Sequence, residues 1–219
     1  MPSVGQSHRS TNNFDHIAGE LYDESIPLHV MNHLTQRRVN TIHSAASFGK
    51  VLDVGCGTGR LLTALDRQKY QRYGLDVSQG MIQQAYEKDA YLQCAVASGT
   101  AIPFEDNFFD VVFCAAVLHH IAESSAVAQA ISEIIRVTRI GGTAIIWDHN
   151  PRNPYWPILM KRVPQDIGEE RLIPREEIQM TLEILNRKWL LDVTWHQMTF
   201  IPDFVPIWSM PALQVVERI

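Results

Sequence analysis

The 219-residue chain is poor in several things whose absence narrows what it can do. No apolar run approaches the ~18 residues that a membrane-spanning helix needs. The opening segment MPSVGQSHRSTNN lacks the apolar core of a secretory signal. Cysteine is scarce: Cys56, Cys94 and Cys114 form no C-x-x-C pair and sit in apolar or glycine-rich runs. An odd number of such thiols suits a reducing compartment better than a disulfide framework, so a cytoplasmic location is expected. Basic clusters stop at pairs such as Arg37-Arg38 and Lys161-Arg162, and the formal net charge is −5. A nucleic-acid-binding face is therefore not expected. No repeat or low-complexity tract interrupts the chain, and 46% hydrophobic with 20% charged residues excludes a disordered polymer.

Three regions follow from the rhythm of what is there. Residues 1–47 comprise a polar terminus, read as frayed over 1–12, and helical patterning from Phe14 to about Ser47 that Pro27 divides in two. Residues 48–150 alternate short apolar runs (KVLDVG, RYGLDV, YLQCAVA, FDVVFCAAV, GTAIIWDH) with helical stretches (GRLLTALDRQ, SQGMIQQAYEKD, SSAVAQAISEIIRVT). Buried strands alternating with helices predict βαβ units, hence a doubly wound, mostly parallel α/β sheet of Rossmann-like type. Residues 151–219 read as an irregular cap that completes the sheet: a proline-rich stretch, a helix over IPREEIQMTLEILNR, and a long strand over KWLLDVTWHQMTF. No later strand-like run is available to pair with that strand, so a C-terminally shortened sheet with an open edge is expected.

The sharpest feature is VLDVGCGTGR, residues 51–60, where a strand runs into glycines at positions 55, 57 and 59. Glycine permits positive φ and lets a ligand lie against bare backbone, and the helix start beyond offers unpaired N–H groups. The loop is either a tight turn alone or a cradle for a flat or anionic small molecule at the carboxyl edge of the sheet. Its spacing is G-x-G-x-G, not the dinucleotide G-x-G-x-x-G, and an acid, Asp53, precedes it. A carboxylate there repels a pyrophosphate but attracts an ammonium group. Asp76 closes the next strand, where an acid can accept hydrogen bonds from both hydroxyls of a ribose. A helix-leading Asp beside the Ser78 cap is the alternative.

VLDVGCGTGR, GLDVSQGMIQQA, IPFEDNFFDVVFCAAVLHHI and EIIRVTRIGGTAIIWD together resemble, in order and spacing, the motifs of class I S-adenosylmethionine-dependent methyltransferases. The likeness is to the type 11, quinone-biosynthesis branch, and FDHIAGELYDE is similar to that branch's N-terminal helix with one residue added. The resemblance implies S-adenosylmethionine as cofactor. It implies that Asp53 and the backbone at Gly55, Cys56 and Gly57, with Gly59 closing the loop, hold the methionine part. Asp76 would hold the ribose, Val77 and Met81 the adenine, and Ser98, Gly99 and Thr100 the adenine edge. Cys114 and Ala115, with Ala116, would line the space near the sulfonium, and Tyr22 would fold over the cofactor. Ser98 stands where the family commonly has Asp, and Ile140 where it commonly has Pro before a Gly-Gly turn.

Methyl transfer from a sulfonium is an in-line displacement, and a hydroxyl or carbon acceptor gains from a base. His119 and His120 after the fourth strand, and Asp148 and His149 after the fifth, are the catalytic candidates. Each histidine has a second reading as a packed or capping residue. The i, i+4 pair His29/His33 has no evident third partner, so no metal site is expected. The aromatic and proline-rich segments YWPILM and FIPDFVPIWSM read either as an apolar wall for a small-molecule or lipid-like acceptor, drawn from a membrane surface by peripheral contact, or as packing. The Asn/Asp-Pro-Pro-aromatic tetrapeptide of amino-methylating nucleic-acid enzymes is missing after the fourth strand. Two rivals stand beside a methyltransferase: a catalytically silent cofactor-binding protein, and an NAD(P)-dependent oxidoreductase, for which the glycine spacing and a Tyr-Lys pair are lacking.

Overall fold

A computed structural model describes residues 8–18, 20–23, 25–153, 170–189 and 191–196, with positions 161, 164, 166 and 168. Among the described residues five strands form one sheet with every pairing parallel: β1 (Gly49–Val54), β2 (Tyr70–Asp76), β3 (Gln93–Val96), β4 (Phe109–Ala115) and β5 (Thr138–Trp147). Their order across the sheet is β3-β2-β1-β4-β5. The chain moves outward in one direction through β1, β2 and β3, then crosses back to lay β4 on the other side of β1. That reversal opens a crevice at the carboxyl ends of β1 and β4, where sheets of this kind bind ligands.

The helices are α1 (His8–Ile17), α2 (Glu20–Asp23), α3 (Leu28–Ala45), α4 (Arg60–Ala64), α5 (Gln79–Lys88), α6 (Ser124–Val137) and α7 (Arg175–Trp189). Alternation along each strand divides the core into two layers. Leu52, Val54, Val112 and Cys114 pack with Val127, Ile131 and Ile134 of α6, against which Ile178, Leu182 and Leu185 of α7 also lie. Val51, Val111 and Phe113 point the other way, to Val39 and Ile42 of α3, Leu61 and Leu62 of α4, and Ile82 of α5. The same alternation carries Asp53 to the α3 side of the sheet.

Several expectations are corrected. Helix begins at His8, so residues 8–12 are ordered into α1, and the region before Pro27 holds two helices instead of one. The helix after β1 is a single turn or so, ending at Ala64, because Leu65 turns to extended backbone and buries its side chain. The Gly141-Gly142 turn lies within β5 as a register irregularity: Phe109 faces Thr138 but Val111 faces Thr143. Gly142 is required there, since a Cβ would stand 2.8 Å from the Asp110 carbonyl oxygen. The strand expected over 188–200 is not found where the chain is described: α7 runs on to Trp189 and residues 191–196 carry no strand. Residues 197–219 and 154–160 lie outside the described residues, and with them the apolar segments YWPILM and FIPDFVPIWSM and the question of a further strand. Among the described residues no helix is long and apolar enough to cross a membrane.

Candidate active site

The glycine loop leaves β1 with φ of 74° at Gly55, 51° at Gly57 and 73° at Gly59, a region open to glycine and costly for other residues. The Gly55 and Cys56 amides both donate to the Leu75 carbonyl, at 2.8 and 2.9 Å, tying the loop to β2. A Cβ on Gly55 would stand 2.3 Å from Val117 Cγ2, so the loops after β1 and β4 press together only because that atom is absent. Gly57 is different. The nearest atoms a Cβ there would meet belong to Tyr22, its hydroxyl oxygen at 3.5 Å, which places Tyr22 across the loop. Asp76 accepts from the Gly57 amide at 2.9 Å and the Ser78 amide at 3.0 Å. Burial raises its pKa in spite of these amides, which pull it down.

Two acids in the N-terminal helices hold this cover in place. Asp15 accepts from Ser78 Oγ at 2.6 Å and from the Gly80 amide at 3.0 Å, at the start of α5. Asp23 accepts from Thr58 Oγ1 at 2.9 Å and pairs with Lys88, which also donates to Thr58 Oγ1 at 2.6 Å.

Beneath the cover runs a cavity of about 220 Å³. Its wall includes Tyr22, Asp53, Gly55, Cys56, Gly57, Asp76, Val77, Met81, Ser98, Gly99, Thr100 and Ala115 from the expected cofactor set, and His119, His120 and His149 from the catalytic set. Three expected residues stand off it. Gly59 packs against Ala85 and Leu92, and Cys114 points into the α6 layer of the core, leaving Ala115 and Ala116 to reach the cavity. Asp148 lies behind His119. Ser98 closes a local turn, its Oγ 2.8 Å from Thr100 Oγ1 and accepting from the Thr100 amide at 3.2 Å.

Asp53 is 5% exposed, and burial pushes its carboxyl up to about 7 although Arg38 opposes the shift. Arg38, on α3, lies on the same wall with Nε buried and without a hydrogen-bond partner; burial lowers its pKa while Asp53 supports its charge. The sequence reading does not single out Arg38, though a signal is present: Leu34, Arg38 and Ile42 fall at i, i+4, i+8, so the guanidinium interrupts an apolar stripe. An acid and a guanidinium, neither one neutralised by dense hydrogen bonding, face one cavity. That donor set fits the ammonium and carboxylate of an amino-acid head group.

The other end is built by the 3-10 turn Leu118–His120 and the residues after β5. Asp148 Oδ1 accepts from the His149 amide at 2.7 Å and lies 2.8 Å from His119 Nδ1, while Oδ2 takes the His119 amide at 3.3 Å. Burial alone would raise Asp148, but His119 outweighs it and holds the carboxyl down at about 2. Burial likewise disfavours protonated His119, yet Asp148 raises its pKa on balance. His149 is pushed down to about 3 by burial and by the neighbouring His119. The three imidazoles lie side by side with tilted rings, centres 4.0 Å apart for His119 and His120 and 4.4 Å for His119 and His149. Phe14 meets His120 edge-on at 5.1 Å. His29 and His33 belong to neither group of residues placed to share a metal ion.

Comparison with known proteins bears on the fold and the domain. Residues 52–146 match the family described as methyltransferase domain. The chain is 26% identical over 169 residues to the demethylmenaquinone methyltransferase of Renibacterium salmoninarum, covering 69% of this chain and 68% of that protein. It is 31% identical to the tRNA (carboxymethyluridine(34)-5-O)-methyltransferase of Arabidopsis thaliana, over 58% of this chain but only 32% of that protein's length. Among solved structures, a SAM-dependent methyltransferase of Thermotoga maritima shares the fold with TM-score 0.62 at 17% identity, covering 80% of this chain and 79% of that one. The fold is the Rossmann-like fold of class I S-adenosylmethionine-dependent methyltransferases, and residues 52–146 carry the methyltransferase-domain match.

Proposed function

We propose that the protein transfers a methyl group from S-adenosylmethionine to a small-molecule or lipid-like acceptor seated at the histidine end of the cavity. One observation carries this reading: a single cavity joins the glycine loop and its two acids to an apolar wall of Phe14, Ile26, Val30, Met31 and Leu34. Asp53 takes the cofactor's ammonium and Arg38 its carboxylate. Asp76 takes the ribose hydroxyls with the lone pairs its two amides leave free, and Val77 and Met81 flank the adenine near Ser98, Gly99 and Thr100. Tyr22 closes over the loop. The cofactor brings an activated methyl group; the protein supplies alignment and exclusion of water, which in favourable cases are equivalent to effective concentrations on the order of 10⁵ M. The methyl group then faces Ala115, Ala116 and the imidazoles, of which His119, made more basic by Asp148, is the one suited to receive a proton from the acceptor. Asp148 acts through His119 by fixing its ring.

The similarity to demethylmenaquinone methyltransferases supports a ring-bearing, partly apolar acceptor. The similarity to tRNA methyltransferases is weighed down by a net charge of −5 and by the lack of basic clusters longer than a pair. The test is calorimetric titration with S-adenosylmethionine, followed by S-adenosylhomocysteine release with hydroxylated aromatic, quinol and tRNA acceptors. Asp53→Asn is expected to weaken cofactor binding about 10- to 100-fold, the loss of a charge-assisted contact. Tight binding unchanged in Asp53→Asn would remove the assigned site; turnover with tRNA alone would replace the acceptor class.

A further inference from the structure

The acceptor end carries more nitrogen and oxygen donors than proton removal requires. His119, His120 and Asp166 line the cavity, and each offers one ligand atom within 4.8 Å of the others. The side chains of His120 and Asp166 are 7% and 5% exposed, yet His120 Nδ1 and Asp166 Oδ1 have no hydrogen-bond partner. His120 Nε2 is 4.0 Å from Asp166 Oδ1, and Nδ1 is 3.8 Å from Glu170 Oε1, both too long for hydrogen bonds. Leaving such atoms bare in the interior costs about 1–3 kcal/mol each, and in native proteins they mark an ion, water or ligand. His119 differs: its Nδ1 lies against Asp148 Oδ1 at 2.8 Å, which leaves Nε2 as the nitrogen able to ligate. A carboxylate behind an imidazole is how metal-binding histidines are oriented. The second possible trio, His119, Asp148 and His149, fails because both Asp148 oxygens are already engaged by His119 and His149.

We propose that His119, His120 and Asp166 hold a divalent first-row transition ion, with a coordination position open to the cavity. Two imidazoles and a carboxylate suit zinc or iron(II), whereas magnesium and calcium take oxygen sets. Bonds of about 2.0–2.2 Å bring neighbouring donors to roughly 3–3.5 Å, so the side chains draw in by about 1 Å on binding. The open position receives an oxygen of the acceptor, a role that rests on the methyl-transfer reading above. With the ion in place of a free imidazole as the activating group, a coordinated hydroxyl loses its proton to solvent as it binds. Its oxygen then forms the new bond to the methyl carbon as the sulfur–methyl bond breaks, and S-adenosylhomocysteine leaves. The acceptor class is thereby narrowed to molecules presenting a phenol, enol or alcohol oxygen ahead of an apolar body.

The test uses the full chain, stripped with a chelator and titrated with Zn²⁺ in competition with a chromogenic chelator, then with Co²⁺ to read its d–d spectrum. The expected result is one equivalent bound, with Co²⁺ bands of a four- or five-coordinate N/O site. His120→Gln and Asp166→Asn are each expected to lose at least about tenfold in Zn²⁺ affinity, and Asp148→Asn about 10- to 100-fold through release of the His119 ring. S-adenosylhomocysteine affinity in the same variants, expected within about twofold of wild type, shows that they fold. Zn²⁺ bound equally well by wild type and both variants, or not bound by wild type at all, overturns the proposal. Neither cofactor nor acceptor enters the titration, so its failure is distinct from failure of the methyl-transfer reading.

Discussion

The two ends of the cavity are made in different ways. At the cofactor end the glycine loop and both acids spring from the end of a strand or the turn after it, Asp53 and Gly55 at β1 and Asp76 at β2. Ala115 stands at the end of β4, while Tyr22, Arg38 and Met81 reach in from helices. Backbone amides there are satisfied locally, by Leu75 and by Asp76 itself. At the acceptor end the groups come from a 3-10 turn, from the chain after β5 and from residue 166, with polar atoms left unpaired. A sheet edge positions residues through ladder hydrogen bonds that hardly depend on what is bound. The acceptor end depends on side chains meeting across long stretches of sequence.

Three experiments would break or sharpen that contrast. The largest effect is expected from the glycines. Gly55→Ala forces a Cβ against Val117 at a φ of 74° and is expected to cost about 3 kcal/mol, a fall of roughly 6–12 °C in Tm by calorimetry. Gly57→Ala has room for its Cβ and suffers only conformational strain, about 1 kcal/mol, so it should keep most of the stability yet lose cofactor affinity. If the two lose stability equally, Gly57 is not reserved for a ligand.

Next in size is Arg38→Gln, expected to weaken S-adenosylmethionine binding about tenfold while leaving a decarboxylated analogue of the cofactor bound as in wild type. An equal loss for both ligands would show that Arg38 acts on Asp53 and not on the carboxylate.

The third concerns pH. Burial holds the Asp53 carboxyl at about 7, and a cationic ligand prefers it ionised. Affinity for S-adenosylmethionine is therefore expected to rise about tenfold between pH 6 and 8, with uptake of the ligand releasing a proton at the lower pH. The sign for stability is opposite: the empty protein holds a proton that the unfolded chain gives up, so its stability falls as pH rises from the ordinary carboxylate range through 7. A flat affinity profile in wild type, or the same slope in Asp53→Asn, would assign the titration elsewhere.

The cofactor end is legible in the sequence because its information is local. Gly55, Gly57, Asp53 and Asp76 lie within one βαβ unit, where strand, turn and helix fix their relative positions. Even the Ser78 cap, accepting from the Met81 amide at 3.1 Å, stands where the pattern places it. Reading fails where neighbours in space are far apart in sequence. Cys114 reads as a wall residue equal to Ala115, but alternation turns it into the core. Arg38 reads as half of a basic pair, and Asp166 as one charge in a proline-rich run. The strand expected over 188–200 meets a competing helical preference, and α7 extends through Trp189 because Leu182, Leu185 and Trp189 all find the core beside α6.

The sequence by itself therefore determined the fold class and the place of the glycine loop with its two acids, since both are written in spacings shorter than one strand-turn-helix unit. Only the tertiary structure decided that Arg38 faces Asp53, that Asp148 stands behind His119, and that His120 and Asp166 face each other with polar atoms unpaired. Those meetings depend on how α3, the turn after β4 and the chain beyond β5 pack around one sheet edge, and no local pattern of residues encodes that packing.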